Sequence, residues 1–194
     1  MAATQPIRDK GDVRAITAYY LDRGQIRNYV LIVLGIHTAL RVGDLLRLCW
    51  DDVYDFGNRR VLRTVDVVES KTGKNKTVAL NRAAVSALTL FAAQAARPGR
   101  FIIENTATGN AISRIQAYRI VRAAAESLQL QDRVSCHSLR KTFGYHAWKG
   151  GVSPVIIMEV YNHSSLDVTR RYLGITQDDK NSAYLSLDLL GLAV

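Results

Sequence analysis

The chain has 194 residues and a mass of 21.6 kDa, with 48% apolar and 22% charged residues. That composition suits one packed globular domain and excludes wholesale disorder or a fibrous repeat. Lys and Arg number 26 against 17 Asp and Glu, a formal charge of +9 with a pI near 9.8, which favours a polyanionic partner, most simply nucleic acid. The longest apolar run, Tyr29 to Ile36, is too short to cross a bilayer, and residues 1–10 hold no signal-peptide core. Cys49 and Cys136 are too few for a disulfide framework or a Cys-rich zinc site, so the expectation is a cytoplasmic protein with reduced thiols and no membrane association.

Helical spacing of Val13, Ile16, Tyr19 and Tyr20 predicts a first helix over Asp12 to Asp22, closed by Gly24. Gln25 to Leu40 carries a wider apolar stripe and predicts a helix through the middle of the domain. A short helix follows over Gly43 to Trp50. The texture then changes: Arg60 to Glu69 and Lys76 to Leu80 alternate as strands, with Asn58 or Gly57 turning an earlier short strand into the first. Between the two, Lys71-Thr72-Gly73-Lys74-Asn75 supplies the Gly and Asn of a tight turn, so a small antiparallel sheet with a basic tip is expected. Helices are predicted over Arg82 to Arg97, ended by Pro98-Gly99, and over Ser113 to Leu128, with Ser113 as N-cap. Phe101 to Ile103 reads as one more short strand. Further helices are expected at His137 to Trp148, stopped by Gly150-Gly151, then at Ser153 to Tyr161 with Pro154 in its first turn, Leu166 to Leu173, and Asp178 to Leu190. The fold class is therefore α+β and mainly helical, with one small sheet inserted early.

Several polar residues stand beside apolar helix runs. Taken singly, each has an ordinary explanation: Arg41 as a cation at a helix C-terminus, Lys71 as a solvated turn lysine, His137 and Arg140 as neighbours on one helix face, His163 as a cap, Tyr172 as a core ring with its hydroxyl at the surface. Phosphoryl chemistry accounts for the whole set in its order. Two guanidiniums can clamp the non-bridging oxygens of a phosphodiester and neutralise charge as it builds. A phenol can attack phosphorus if a neighbour takes its proton, and a lysine or histidine can protonate the leaving sugar oxygen. Such a scheme requires no metal or other cofactor, in keeping with the lack of an Asp/Glu cluster.

In these segments the chain resembles the tyrosine recombinases, the phage-integrase superfamily that includes mobile-element integrases. The first arginine box is similar to Thr38-Ala39-Leu40-Arg41-Val42-Gly43-Asp44-Leu45, and the lysine hairpin to Ser70-Lys71-Thr72-Gly73 through Leu80. The second box is similar to His137-Ser138-Leu139-Arg140-Lys141-Thr142-Phe143, and the last to Asn162-His163-Ser164-Ser165 followed by Thr169-Arg170-Arg171-Tyr172. Ala39 and Asn162 stand where the family usually has glycine, which bears on how Arg41 and His163 are presented.

The resemblance implies a tyrosine recombinase catalytic-domain fold spanning residues 1–194, without the N-terminal core-binding domain usual in the family. It implies site-specific cleavage and rejoining of double-stranded DNA through a 3′-phosphotyrosine intermediate, without metal or ATP. Arg41 and Arg140 would bind the scissile phosphate, Lys71 would act as general acid on the 5′ oxygen, and His137 would transfer a proton. His163 would add a phosphate hydrogen bond, Tyr172 would be the nucleophile, and Asp44 would orient the site. The apolar stripe Ala183, Tyr184, Leu187 and Leu190 either packs on its own domain or, as the family implies, docks into a neighbour in a DNA-bound tetramer. Rival readings are a catalytically silent DNA-binding or regulatory protein on the same fold, a type IB topoisomerase-like activity, and a metal-dependent nuclease built on His37, His137, His146 and His163.

Overall fold

The computed structural model describes residues 4–94, 99–130 and 133–187. Helix α1 (Lys10–Leu21) is capped by the Asp9 carboxylate, which accepts from the Asp12 amide, and buries Ile16 and Tyr20. Helix α2 (Ile26–His37) is buried on nearly every face, from Ile26 to Ile36, as its broad apolar stripe predicts. It ends three residues earlier than Leu40. Thr38 turns its hydroxyl back onto the Leu34 carbonyl at 2.6 Å, and Ala39 takes a left-handed φ of 54° that no helix can continue. Arg41 is therefore the N-cap of the next helix, α3 (Val42–Leu45), and not a C-terminal helix cation.

The expected helix over Gly43 to Trp50 splits into α3 and α4 (Trp50–Val53), because the chain between them extends to make a bridge from Cys49 to Phe101. That single bridge replaces the strand expected at Phe101 to Ile103. The long strand expected over Arg60 to Glu69 also divides. Strand β1 (Tyr54–Asp55) pairs with β2 (Arg60–Val61), while β3 (Thr64–Val68) pairs with β4 (Asn75–Ala79), opposite Val67 standing Lys76. Leu62 donates its amide to Val53 and Arg63 accepts from Leu80, so the break lies where the chain changes partner. A third ladder joins β5 (Glu104–Asn105) to β6 (Asn110–Ala111). The described residues thus hold three two-stranded antiparallel ladders in place of one sheet.

Helix α5 (Arg82–Gln94) packs with α2 and the β3–β4 hairpin in the larger core cluster; the rest of its predicted span, 95–97, and Pro98 lie outside the described residues. Helix α6 (Arg114–Ser127) starts at Ser113, which caps it in a reciprocal capping box with Gln116. Helix α7 (Cys136–Lys149) joins α1, α2 and α6 around a second cluster containing Ile16, Ile32, Ile36, Val121 and Leu139. Helices α8 (Pro154–Tyr161) and α9 (Leu166–Leu173) enclose a third, small cluster of Ala39, Ile157, Tyr161 and Leu173. Helix α10 (Gln177–Leu185) buries no residue of its own. Packing of its stripe on its own domain is therefore not observed, and Leu190 lies outside the described residues. No helix among the described residues is long and apolar enough to cross a membrane.

Candidate active site

Four separate segments meet at one place because α2 runs through the core and delivers its C-terminal turn beside α7. The Ala39 carbonyl accepts from Arg140 Nη1 at 2.5 Å, and the Tyr161 carbonyl accepts from Arg140 Nη2 at 3.0 Å. Tyr161 in turn donates its hydroxyl to the Arg140 carbonyl at 2.6 Å, and its ring lies 4.6 Å beneath the guanidinium. Arg140 is 1% exposed, so this cation is locked between α2, α7 and α8. Holding Ala39 in the left-handed region costs about 1–2 kcal/mol, and its carbonyl is thereby turned onto Arg140. Asn162 also takes a left-handed φ of 52°, as the C-cap of α8. Both departures from glycine thus keep the backbone turn.

Arg41, Asp44, Lys71, His137, Arg140 and Tyr172 line one cleft of about 400 Å³, with Ser70, Cys136 and Arg114 also in its walls. His163 does not line it and instead packs behind the nucleophile candidate, its ring 4.5 Å from that of Tyr172 and its Nδ1 3.0 Å from Thr169 Oγ1. His137 lies on the other side, 5.0 Å from the same ring. Burial pushes both imidazoles down, aided at His137 by Lys141, Arg140 and Arg41 and at His163 by Arg140 and Arg41, so each falls to about 4 and is neutral at pH 7. His37 and His146 turn elsewhere, to Asn81 and to the Ile7 carbonyl. The described residues hold no group of three His, Cys, Asp or Glu placed to take a metal ion, so the histidines of the nuclease reading are not gathered.

The Lys71 turn is tied on both flanks. Asp44, 2% exposed, accepts from the Ser70 amide and from Arg47 at 2.9 Å each, and also from the Ser70 hydroxyl. On the other flank Thr72 donates to Glu69 Oε2 at 2.8 Å. The same oxygen lies 2.7 Å from Arg41 Nη1, in an ion pair whose carboxylate side chain is 0% exposed. Burial pushes the Glu69 carboxyl up, but Arg41 and Thr72, with Asn162 adding to them, outweigh it and hold the group below its usual range.

Glu69 and Lys76 carry no motif, yet the strand period marks them. Val65 and Val67 are buried, so period two puts an acid, Glu69, on the inward face. Lys76 shares its face with buried Val78. Burial, then Arg140, lowers the Lys76 ammonium to about 8. The buried side-chain polar atoms without an aligned protein partner, among the described residues, are Arg41 Nη1, Asp44 Oδ2, Glu69 Oε1, Lys76 Nζ, Arg140 Nε and Asn162 Nδ2. All belong to this site or its immediate support. An unmade hydrogen bond at such a group costs about 1–3 kcal/mol; Arg41 Nη1 keeps its ion pair with Glu69, which leaves Lys76 Nζ and Arg140 Nε as cationic donors without a partner, the pattern of a site that takes an anion. Arg114 reaches the cleft because Gly43 has no side chain; a Cβ there would collide with its guanidinium.

The phage integrase family profile matches residues 9–178. The chain belongs to that family. It is 34% identical over 184 residues to the probable integrase/recombinase YoeC of Bacillus subtilis (strain 168), covering 95% of this chain and 97% of that one. Against the tyrosine recombinase XerD of Mycobacterium tuberculosis (strain ATCC 25618 / H37Rv) it is 31% identical over 157 residues, 78% of this chain and 49% of that one. The chain thus spans about half the length of that relative and nearly all of YoeC. Among solved structures, XerA recombinase superposes with a TM-score of 0.73 at 19% identity, covering 95% of this chain and 66% of that one. XerH recombinase bound to its palindromic difH substrate gives 0.74 at 17%, covering 96% and 54%. These two likenesses establish the tyrosine recombinase catalytic-domain fold that the resemblance implies.

Proposed function

We propose that this protein cleaves and rejoins the strands of double-stranded DNA at specific sites through a covalent bond to Tyr172. The observation that carries this reading is the convergence of Arg41, Arg140, Lys71 and a tyrosine between two neutral histidines on one cleft, with the buried donors Lys76 Nζ and Arg140 Nε left without a partner beneath it. Arg41 and Arg140 hold the non-bridging oxygens of the scissile phosphate. Tyr172 Oη attacks phosphorus and gives its proton to the neutral imidazole of His137, while the bond to the 5′ oxygen breaks and Lys71 protonates that oxygen. His163, behind Tyr172, adds a hydrogen bond to the phosphate once the chain closes on DNA. The 3′-phosphotyrosine conserves the bond energy, so a new 5′ hydroxyl reverses the step on a second strand with no metal or ATP.

The net charge of +9 supports binding to duplex DNA. A DNA-bound tetramer joined through the C-terminal helix is part of the same reading: Tyr184, Leu185 and Leu187 on and just after α10 are 81%, 85% and 70% exposed, an apolar surface suited to a neighbouring protomer. The test is a suicide substrate, a nicked or half-site duplex incubated with wild type and Tyr172→Phe and run on a denaturing gel. A protein–DNA band that survives EDTA and vanishes in the Phe variant is expected. Duplex binding without any band would overturn the reading in favour of a silent DNA-binding protein. Supercoil relaxation by monomers, without a paired site, would favour the topoisomerase alternative.

A further inference from the structure

Glu69 is a buried acid inside a site whose other buried charges are mostly positive, and nothing in the chemistry above uses it. Its backbone closes the turn that carries Lys71: the Glu69 amide donates to the Lys74 carbonyl at 3.0 Å, and the Glu69 carbonyl accepts from Gly73 at 2.8 Å. Gly73 supplies the left-handed φ of 66° that so tight a turn requires. The Glu69 side chain reaches two ways, accepting from Thr72 Oγ1 at 2.8 Å and pairing with Arg41 Nη1 at 2.7 Å. Thr72 is the residue after Lys71, and Arg41 lines the cleft beside it. A guanidinium is planar, so an ion pair at one buried nitrogen restricts how its remaining N–H groups face the cleft.

We propose that Glu69 is a positioning residue that couples the Arg41 guanidinium to the Lys71 turn, so that a phosphate held by Arg41 finds the lysine already placed. The inference rests on the strand-cleavage reading above. A carboxylate that served only to offset positive charge would influence both steps of catalysis evenly and would leave the lysine step no more sensitive than the rest. A coupling residue instead makes the proton transfer to the 5′ oxygen depend on it.

The experiment compares single-turnover adduct formation by wild type, Glu69→Gln, Lys71→Ala and the double variant on two half-site duplexes. One has the natural 5′-bridging oxygen and the other a 5′-bridging sulfur, whose thiolate leaves without a proton. Glu69→Gln is expected to slow cleavage of the natural duplex about 10- to 100-fold and to recover most of that loss on the sulfur duplex, as Lys71→Ala does. The double variant should be no slower than Lys71→Ala alone. Independent, additive losses, or an equal loss on both duplexes, would overturn the coupling. Amide hydrogen exchange of the protein without DNA supplies a readout that needs no cleavage: in Glu69→Gln the amides of residues 70–74 should exchange at least several-fold faster, with those of α2 unchanged. Unchanged exchange at 70–74 overturns the inference even if wild type makes no adduct, in which case the cleavage reading fails separately.

Discussion

Acid should destabilise this protein through its two site histidines, and the size of the effect follows from their surroundings. His137 and His163 flank Tyr172 at 5.0 and 4.5 Å and titrate near 4 against an ordinary value of 6.5. The folded state resists their protonation, whereas the unfolded chain binds the protons freely below 6.5. Stability is therefore fully present above pH 6.5 and is lost as pH falls from 6.5 toward 4. One such imidazole loses about 1.8 kcal/mol between pH 7 and pH 5, and halving the sum because both rings are partly exposed leaves about 2 kcal/mol for the pair. For a chain of this length that is about 4–8 °C in Tm. The assay is thermal unfolding without DNA at pH 7 and pH 5, for wild type and for the double variant His137→Gln, His163→Gln. Carboxylates titrate alike in both proteins, so the difference between the two pH-dependent drops isolates the histidines. The double variant should lose about 2 kcal/mol less. Parallel curves would refute the reasoning, since they would mean that burial beside these cations does not hold the imidazoles neutral.

Gly144→Ala, in the middle of α7, should destabilise by about 1–3 kcal/mol in urea unfolding despite the better helix propensity of alanine. The added Cβ would lie 2.9 Å from Tyr161 Cε2 and 3.0 Å from its Cζ, and Tyr161 cannot retreat while it holds Arg140; a rise in stability would contradict this. Lys76→Met should raise stability by about 1–3 kcal/mol at pH 7, because burial costs the ammonium whose value falls to about 8 from 10.5. The sign follows from linkage: wild type recovers stability as pH rises from about 8 to 10.5, so the gain of the variant shrinks over that window. The same variant should form the covalent adduct about 10-fold more slowly, through loss of positive charge under the phosphate. A lower Tm at pH 7 would show that Lys76 is paired in solution.

Much of the architecture was legible because local rules and tertiary packing agreed. The apolar stripe of α2 is wide enough to demand burial on several sides, and Ser113 as N-cap announces the start of α6. The breaks were less legible. Helix α2 stops at His37 because the Thr38 hydroxyl and the left-handed Ala39 end it, and periodicity sees neither when Leu40 continues the apolar pattern. The strand over Arg60 to Glu69 divides because Leu62 and Arg63 bond to Val53 and Leu80, partners that a period-two pattern cannot identify. In the site, the order Arg41, Lys71, His137, Arg140, His163, Tyr172 was readable as a set. Glu69 and Lys76 lie on the inward strand faces, but a period-two pattern does not tell a charged residue that supports a site from one at a strand end.

The amino-acid sequence by itself determined the chemistry on offer: cationic donors, a lysine turn, imidazoles and a phenol, spaced along helices and a hairpin whose local preferences are strong enough to form them. It also determined the backbone punctuation, through Gly73 and through Asn162, which tolerates a left-handed turn. Tertiary structure alone decided which of those groups share one cleft, and that Arg140 is buried between the carbonyls of Ala39 and Tyr161. It also decided that Glu69 stands between Arg41 and the lysine turn. The physical reason is one of range: propensity and capping act over a few residues, whereas burial and ion pairing join positions such as Arg41 and Glu69 only after the core has brought their segments together.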